Sequence, residues 1–150
     1  MKHLKSTYLL LLLLILVIGT GVGCKKYPDG PEFSLMPKKW RLDGDWKLNQ
    51  ALENGTDVTA ATLVNTIEYS RKIELNGNFS FNWATNNGTS LSYDGTWTWS
   101  DDKTVIYFSY ALGAGIQVDT YLILKLERHE LWLQNLSPTG DVMQYHFVPN

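Results

Sequence analysis

The chain has 150 residues, 13 Lys and Arg against 15 Asp and Glu, a formal net charge of −2 and a single cysteine, Cys24. Scattered charges with a mildly acidic balance exclude the basic stripe of a nucleic-acid surface, and one cysteine excludes an internal disulfide and any multi-cysteine metal site. A domain of this size buries about two thirds of its unfolded surface, enough for a core without disulfides.

The first residues give an address. Lys2, His3 and Lys5 precede an unbroken apolar run from Tyr8 to Ile18, and small residues from Gly19 to Gly23 lead straight into Cys24. This is the layout of a secretory signal, and the run falls short of the ~20 residues that a helix needs to cross a bilayer. Residues 1–23 are therefore expected to be a signal peptide. Cys24 resembles the lipobox cysteine of bacterial lipoproteins, although Gly21 stands where an aliphatic residue is usual. The resemblance implies a diacylated thiol, palmitate among its chains, and a protein held on a membrane by lipid. An ordinary cut near Gly23 that leaves a free thiol is the alternative.

Residues 24–39 read as a lipidated N-terminus and tether. Pro28, Pro31 and Pro37, with Asp29 and Gly30 among them, favour an extended stalk. Its last part is expected to be ordered, with Ser34 capping a helical turn from Leu35 to Leu42 that plugs one end of the following domain. Lys25 and Lys26 suit anionic head groups, or are plain solvated charges.

From Trp46 onward the apolar period is two. Ile67, Tyr69, Arg71, Ile73 and Leu75 share one face of a strand, and Asn76-Gly77 supplies a tight turn. Phe79, Phe81 and Trp83 are in phase on the next strand. Tyr93, Trp97 and Trp99 follow on another, where Gly95 marks a bulge or bend. Thr104 to Ala111 is rich in β-branched and aromatic residues, and Gln117 to Glu127 carries Leu122, Leu124 and Leu126 in phase. Leu131 and Leu133 share a face, Ser137 to Gly140 form a turn, and Met143, Tyr145 and Phe147 line the last strand. Trp132 falls out of phase with its neighbours, on the exposed side. The fold predicted over residues 40–150 is all-β: an eight-stranded antiparallel up-and-down barrel with a short N-terminal helical turn. The one longer connection, Glu53 to Asn65, is expected to hold a helical turn capped by Thr59 and to act as a partial lid.

Gly44-Asp45-Trp46 at the opening strand, with a helical turn before it, resembles the G-x-W signature of lipocalins. KYPDGPEFSL after the cysteine, KKWRLDGDWKL, the GTWTWSDDK run at Gly95 to Lys103 and LWL at Leu131 to Leu133 are similar to lipocalin-like lipoproteins of Bacteroidota. The resemblance spans residues 25–150. It implies the barrel and an envelope address, with the periplasmic side of the outer membrane preferred over the surface. Many lipocalins also place an arginine near the last strand to pack over the G-x-W tryptophan; here only His146 is available.

An eight-stranded barrel is either filled by its own side chains or holds one small ligand. Trp46, Tyr69, Phe79, Phe81, Trp83, Trp97, Trp99 and Tyr145, with Tyr93, are the inward candidates. As a pocket they would take an apolar or planar molecule; as plain core they fill the barrel, and the bulk of the rings favours the second. Arg71 is the one charge on that face. It meets a carboxylate head group, or a bulge or snorkelling carries it outward, which the sequence favours. Beyond the signal the only histidines are His129 and His146, in neither an H-x-x-x-H nor a G-x-S-x-G context. The expectation is a non-enzymatic envelope lipoprotein, without cofactor, metal or nucleic acid, that binds or carries a small hydrophobic ligand. A filled barrel docking on another envelope protein is the alternative.

Overall fold

The computed structural model of the chain describes residues 26–31, 34–135 and 140–150. The signal peptide, Cys24 and most of the Ser137 to Gly140 turn lie outside the described residues. In chain order the elements are helix α1 (Lys38–Leu42), strands β1 (Gly44–Glu53) and β2 (Thr56–Asp57), helix α2 (Thr59–Thr62), then β3 (Thr66–Ile73), β4 (Asn78–Thr85), β5 (Ser90–Trp99), β6 (Val105–Leu112), β7 (Gly115–Leu126), β8 (Leu131–Asn135) and β9 (Met143–Pro149).

From β3 to β9 each strand pairs antiparallel with the next, and β9 returns to β1. The eight strands β1 and β3 to β9 thus close a barrel, while β2 is a two-residue spur on the end of β1. Closure removes the unpaired edges that an open sheet must protect. It is uneven, however. β1 pairs with β3 only from Gly44 to Lys47, whereas it follows β9 from Trp46 to Glu53. Where β1 and β3 part, the α2 segment fills in: Val58 and Leu63 pack on the core, the Val58 N–H donates to the Ala51 carbonyl, and the Ala51 N–H donates to Thr59 Oγ1. Thr59 is thus committed to β1 and does not cap α2, whose N-cap position is Val58. The Glu53 to Asn65 connection is pinned to the barrel wall.

One end of the barrel is shut by α1. This helix is shorter than expected and Ser34 does not cap it: Pro37 holds the N-cap position with an extended ψ of 140°, and no side chain caps the helix. A proline disfavours helical backbone in the residue before it, which keeps Met36 out of the helix. Trp46 is 2% exposed and its Nε1 donates to the Leu42 carbonyl at 2.9 Å, tying β1 to the helix. The G-x-W spacing has a local cause as well, because a Cβ at Gly44 would stand 3.3 Å from that same Nε1. Arg41, also buried, donates from Nη1 to the Leu126 carbonyl at the end of β7.

The tether is not a free stalk. Tyr27 is buried against the core, its hydroxyl donates to the Lys103 carbonyl at 2.9 Å, and the Asp29 N–H donates to the Leu124 carbonyl at 3.0 Å. An aromatic ring with a partner for its hydroxyl gains by burial, and this outweighs the extended preference of the prolines around it.

Three bulges set which side chains face inward, at Leu48/Gln50, Thr66/Glu68 and Ile123/Lys125. The second throws Ile67 into solvent, 71% exposed, although it shares a period with Tyr69. Leu75, at 39%, belongs to the turn after β3. The third splits the expected Leu122, Leu124, Leu126 set. Ile123 pairs with Leu133 and Leu126 with Leu131, so Tyr121, Ile123 and Leu126 point inward. Leu124 points out and is covered beside the docked Asp29.

Gly95 is not a bulge. It pairs in regular register with Phe79 on β4 and Tyr110 on β6. A Cβ there would lie 2.0 Å from the Ser109 carbonyl oxygen and 2.8 Å from the Phe79 ring. Gly95→Ala is therefore expected to force two backbones apart and to destabilise the barrel by about 1–3 kcal/mol, as overpacking does. Thermal denaturation checks this; an unchanged melting temperature would show that the strands separate freely.

Candidate ligand cavity

The inner face of five consecutive strands lines a cavity of ≈ 200 Å³: Tyr69 and Arg71 from β3, Phe79 and Phe81 from β4, Tyr93 from β5, Tyr110 from β6, Asp119 and Tyr121 from β7. Alternation puts residues i and i+2 on one face, and register aligns Arg71, Phe81 and Tyr93 in one row across three strands. The rings support one another. Tyr69 meets Phe81 edge-on at 5.3 Å between centroids, Phe81 stacks on Tyr93 at 6.1 Å, and Tyr93 leans on Tyr110 at 4.8 Å. The volume lies between an engineered cavity of about 150 Å³ that holds benzene and the roughly 300 Å³ lower bound of drug-sized pockets.

Arg71 is buried in this cavity, at 5% exposure. The bulge that could have turned it outward lies upstream, at Ile67, so Tyr69, Arg71 and Ile73 keep one inward phase. Its Nη2 donates to the Tyr121 hydroxyl at 2.8 Å. Four ring centroids surround Cζ: Tyr121 at 4.7 Å, Phe108 at 5.0 Å, Phe81 at 5.4 Å and Phe147 at 5.7 Å. Ring faces attract a cation, by up to about 2 kcal/mol each when desolvated. Even so, Nε is buried without a hydrogen-bond partner, and no carboxylate pairs with Arg71 among the described residues. Asp119, on the same wall, accepts from the Tyr110 hydroxyl at 3.1 Å and from Gln117 Nε2 at 3.3 Å.

Burial raises the pKa of the phenols. Tyr110 is pushed up to about 12 by desolvation and then by Asp119. Tyr69 and Tyr145 rise for the same first reason, partly offset by the Arg71 charge. All three remain hydroxyl donors at neutral pH.

The other sequence candidates fall elsewhere. Trp46, Trp97 and Trp99 gather at the shut end, where Trp97 Nε1 donates to the Glu74 carbonyl at 2.9 Å and its ring meets Trp99 edge-on at 5.1 Å. Trp83 keeps the inward phase of β4 but stands one step beyond the cavity, half-buried. Tyr145 lies behind the wall, its ring 6.2 Å from Tyr121 and 6.3 Å from Tyr69. Cys24 lies outside the described residues. Sequence reasoning missed Tyr110, Asp119 and Tyr121. The Asp119, Tyr121, Ile123 alternation was available, but the competing leucine phase on the same strand concealed it.

No protein-family model and no curated protein matches the chain. Among solved structures it is similar to a lipocalin-like protein from Bacteroides uniformis, with a TM-score of 0.54 and 15% identity over 73% of this chain and 99% of that one. An uncharacterized protein from Bacteroides eggerthii matches with a TM-score of 0.51 and 12% identity, over 73% and 99% of the two chains. The fold is lipocalin-like. At these identities the likeness speaks for the fold alone.

On the outside of this lipocalin-like barrel, Trp132 is half-buried rather than free. His146 stacks on it at 4.0 Å and 7°, and Lys125 Nζ lies 4.7 Å from its ring. Gln50 donates from Nε2 to Asp57, leaving Oε1 to accept from His146 Nδ1 at 3.0 Å. His146 Nε2 is then buried without a partner, and protonation would bury an unsatisfied N–H. Desolvation accordingly lowers the His146 pKa below 6.5, against the opposing pull of Asp29, Glu130 and Asp57. Between the lowered folded value and the ordinary one, the unfolded chain binds more protons. The stabilisation from neutral His146 is thus complete above pH 6.5 and is lost as pH falls toward the folded value. Melting temperature should fall as pH is lowered through 6.5. His146→Gln should flatten that slope; an equal slope in the variant would assign the dependence to another group.

Proposed function

We propose that the chain is a non-enzymatic, lipid-anchored envelope protein whose barrel binds one small molecule. The observation that carries the binding reading is the cavity itself: ≈ 200 Å³ walled by aromatic rings, with a buried guanidinium whose Nε has no partner. A buried charge is costly unless it is paired; Arg41 Nε at the shut end is also without a partner among the described residues, but Arg71 is the guanidinium that lines this cavity. Native mass spectrometry of the full-length protein, purified gently from its own envelope in detergent, is the direct test. Extra mass that disappears on unfolding is expected. A bare polypeptide from every preparation would overturn the binding reading and favour a barrel that docks on another envelope protein.

The anchor reading rests on Cys24 after its signal-like run, and chain geometry supports it. Only Lys25 and Lys26 separate Cys24 from the buried Tyr27, a reach of about 10 Å. A lipid on Cys24 would hold the shut end of the barrel at the bilayer and leave the opposite end facing the periplasm. The shut end also gathers cations: burial, and then the fields of Lys26, Arg41 and Lys103, lower the pKa of Lys38. Such a cluster suits anionic head groups. The periplasmic leaflet of the outer membrane is the preferred location. Globomycin should leave an uncleaved precursor in the host, and normal processing in its presence would remove the lipid anchor.

A further inference from the structure

We propose that the ligand of this cavity is a singly charged small carboxylate of about ten non-hydrogen atoms, its head on Arg71 and its flat apolar body against Phe81, Tyr93 and Tyr110. The inference rests on the ligand-binding reading above and adds the chemistry of the ligand. Arg71 lines the cavity and has several N–H donors; it gives one to Tyr121, and its covered Nε has no acceptor among the described residues. A guanidinium fork matches a carboxylate in bidentate geometry, and charge-assisted hydrogen bonds of this kind are about twice as strong as neutral ones. The hydroxyl of Tyr121 beside that fork can donate to the same anion.

The alternatives are disfavoured by charge and size. A cationic ligand would compete with Arg71 for the ring faces the guanidinium already holds at 4.7–5.7 Å. A neutral ligand would leave the buried charge unpaired. A second negative charge would meet Asp119, which lines the same wall. The cavity volume admits one ring with a short substituent and excludes a long acyl chain.

The test uses the full-length protein in a non-ionic detergent and a matched set of probes near pH 7: benzoate, benzamide and benzyltrimethylammonium, titrated by calorimetry. Benzoate should bind at one site, about tenfold or more tighter than benzamide. In Arg71→Met that preference should vanish while benzamide binding persists, which also shows that the variant is folded. Tyr121→Phe, which removes only the partner hydroxyl, should reduce the preference if the methionine variant fails to fold. Benzamide binding as tightly as benzoate, a preference that survives Arg71→Met, or a preference for the ammonium probe would overturn the carboxylate assignment and leave the binding reading standing. Failure of all three probes to bind would overturn the binding reading as well.

Discussion

The return of β9 to β1 is the constraint on which the rest of the molecule depends. Once the pairs from Trp46 with Pro149 to Glu53 with Met143 are made, the sheet has no choice but to enclose a volume. Eight strands fix that volume at about the size of their own inward side chains plus one small guest. Which of the two is realised is decided by what each strand places at each level.

The two ends answer differently. At the shut end, α1 supplies Leu42, β1 supplies Trp46, and Ile73, Trp97 and Leu126 complete a filled layer. Each indole that could have been left unsatisfied reaches a backbone carbonyl, Trp46 at Leu42 and Trp97 at Glu74. Burial of these large side chains contributes roughly 1.5–3 kcal/mol apiece. Toward the other end, the inward positions carry tyrosines, Arg71 and Asp119, groups that line space less completely and bring polar atoms with them. The stability of the barrel and the chemistry of its cavity therefore reside in separate layers, so the cavity can change without loss of the fold.

Much of this was legible in the sequence because alternation is a strong signal. Phe79 and Phe81, with Tyr69, were placed on the correct face by period two alone, and the Asn76-Gly77 turn separated β3 from β4; the outward reading favoured for Arg71 failed because the bulge lies upstream of it. What the sequence hid depends on contacts between distant segments. A bulge changes phase without changing composition, so Ile67 looked inward and Tyr121 was passed over. Gly95 read as a bend because no local rule reports that the Ser109 carbonyl crosses above it. Tyr27 read as part of a stalk because its partners, Lys103 and the core, lie far along the chain. The tryptophans were correctly inward but wrongly grouped: period gives a face, and only register divides that face into a filled layer and a lined cavity.

Arg71 shows why a polar group in such a place is informative. A guanidinium removed from water loses several kcal/mol of solvation, and a salt bridge recovers this only with good geometry. Here the compensation comes from four ring faces and one phenol. Ring faces attract the charge but do not saturate its N–H groups, because a π-cloud substitutes poorly for an oxygen lone pair. The fold thus keeps the cation and leaves part of its donor capacity unused, beside a space large enough for a ligand. Replacing Arg71 by an apolar residue of similar length would make a simpler core. Its presence in the wall of the cavity is a feature that packing alone does not explain.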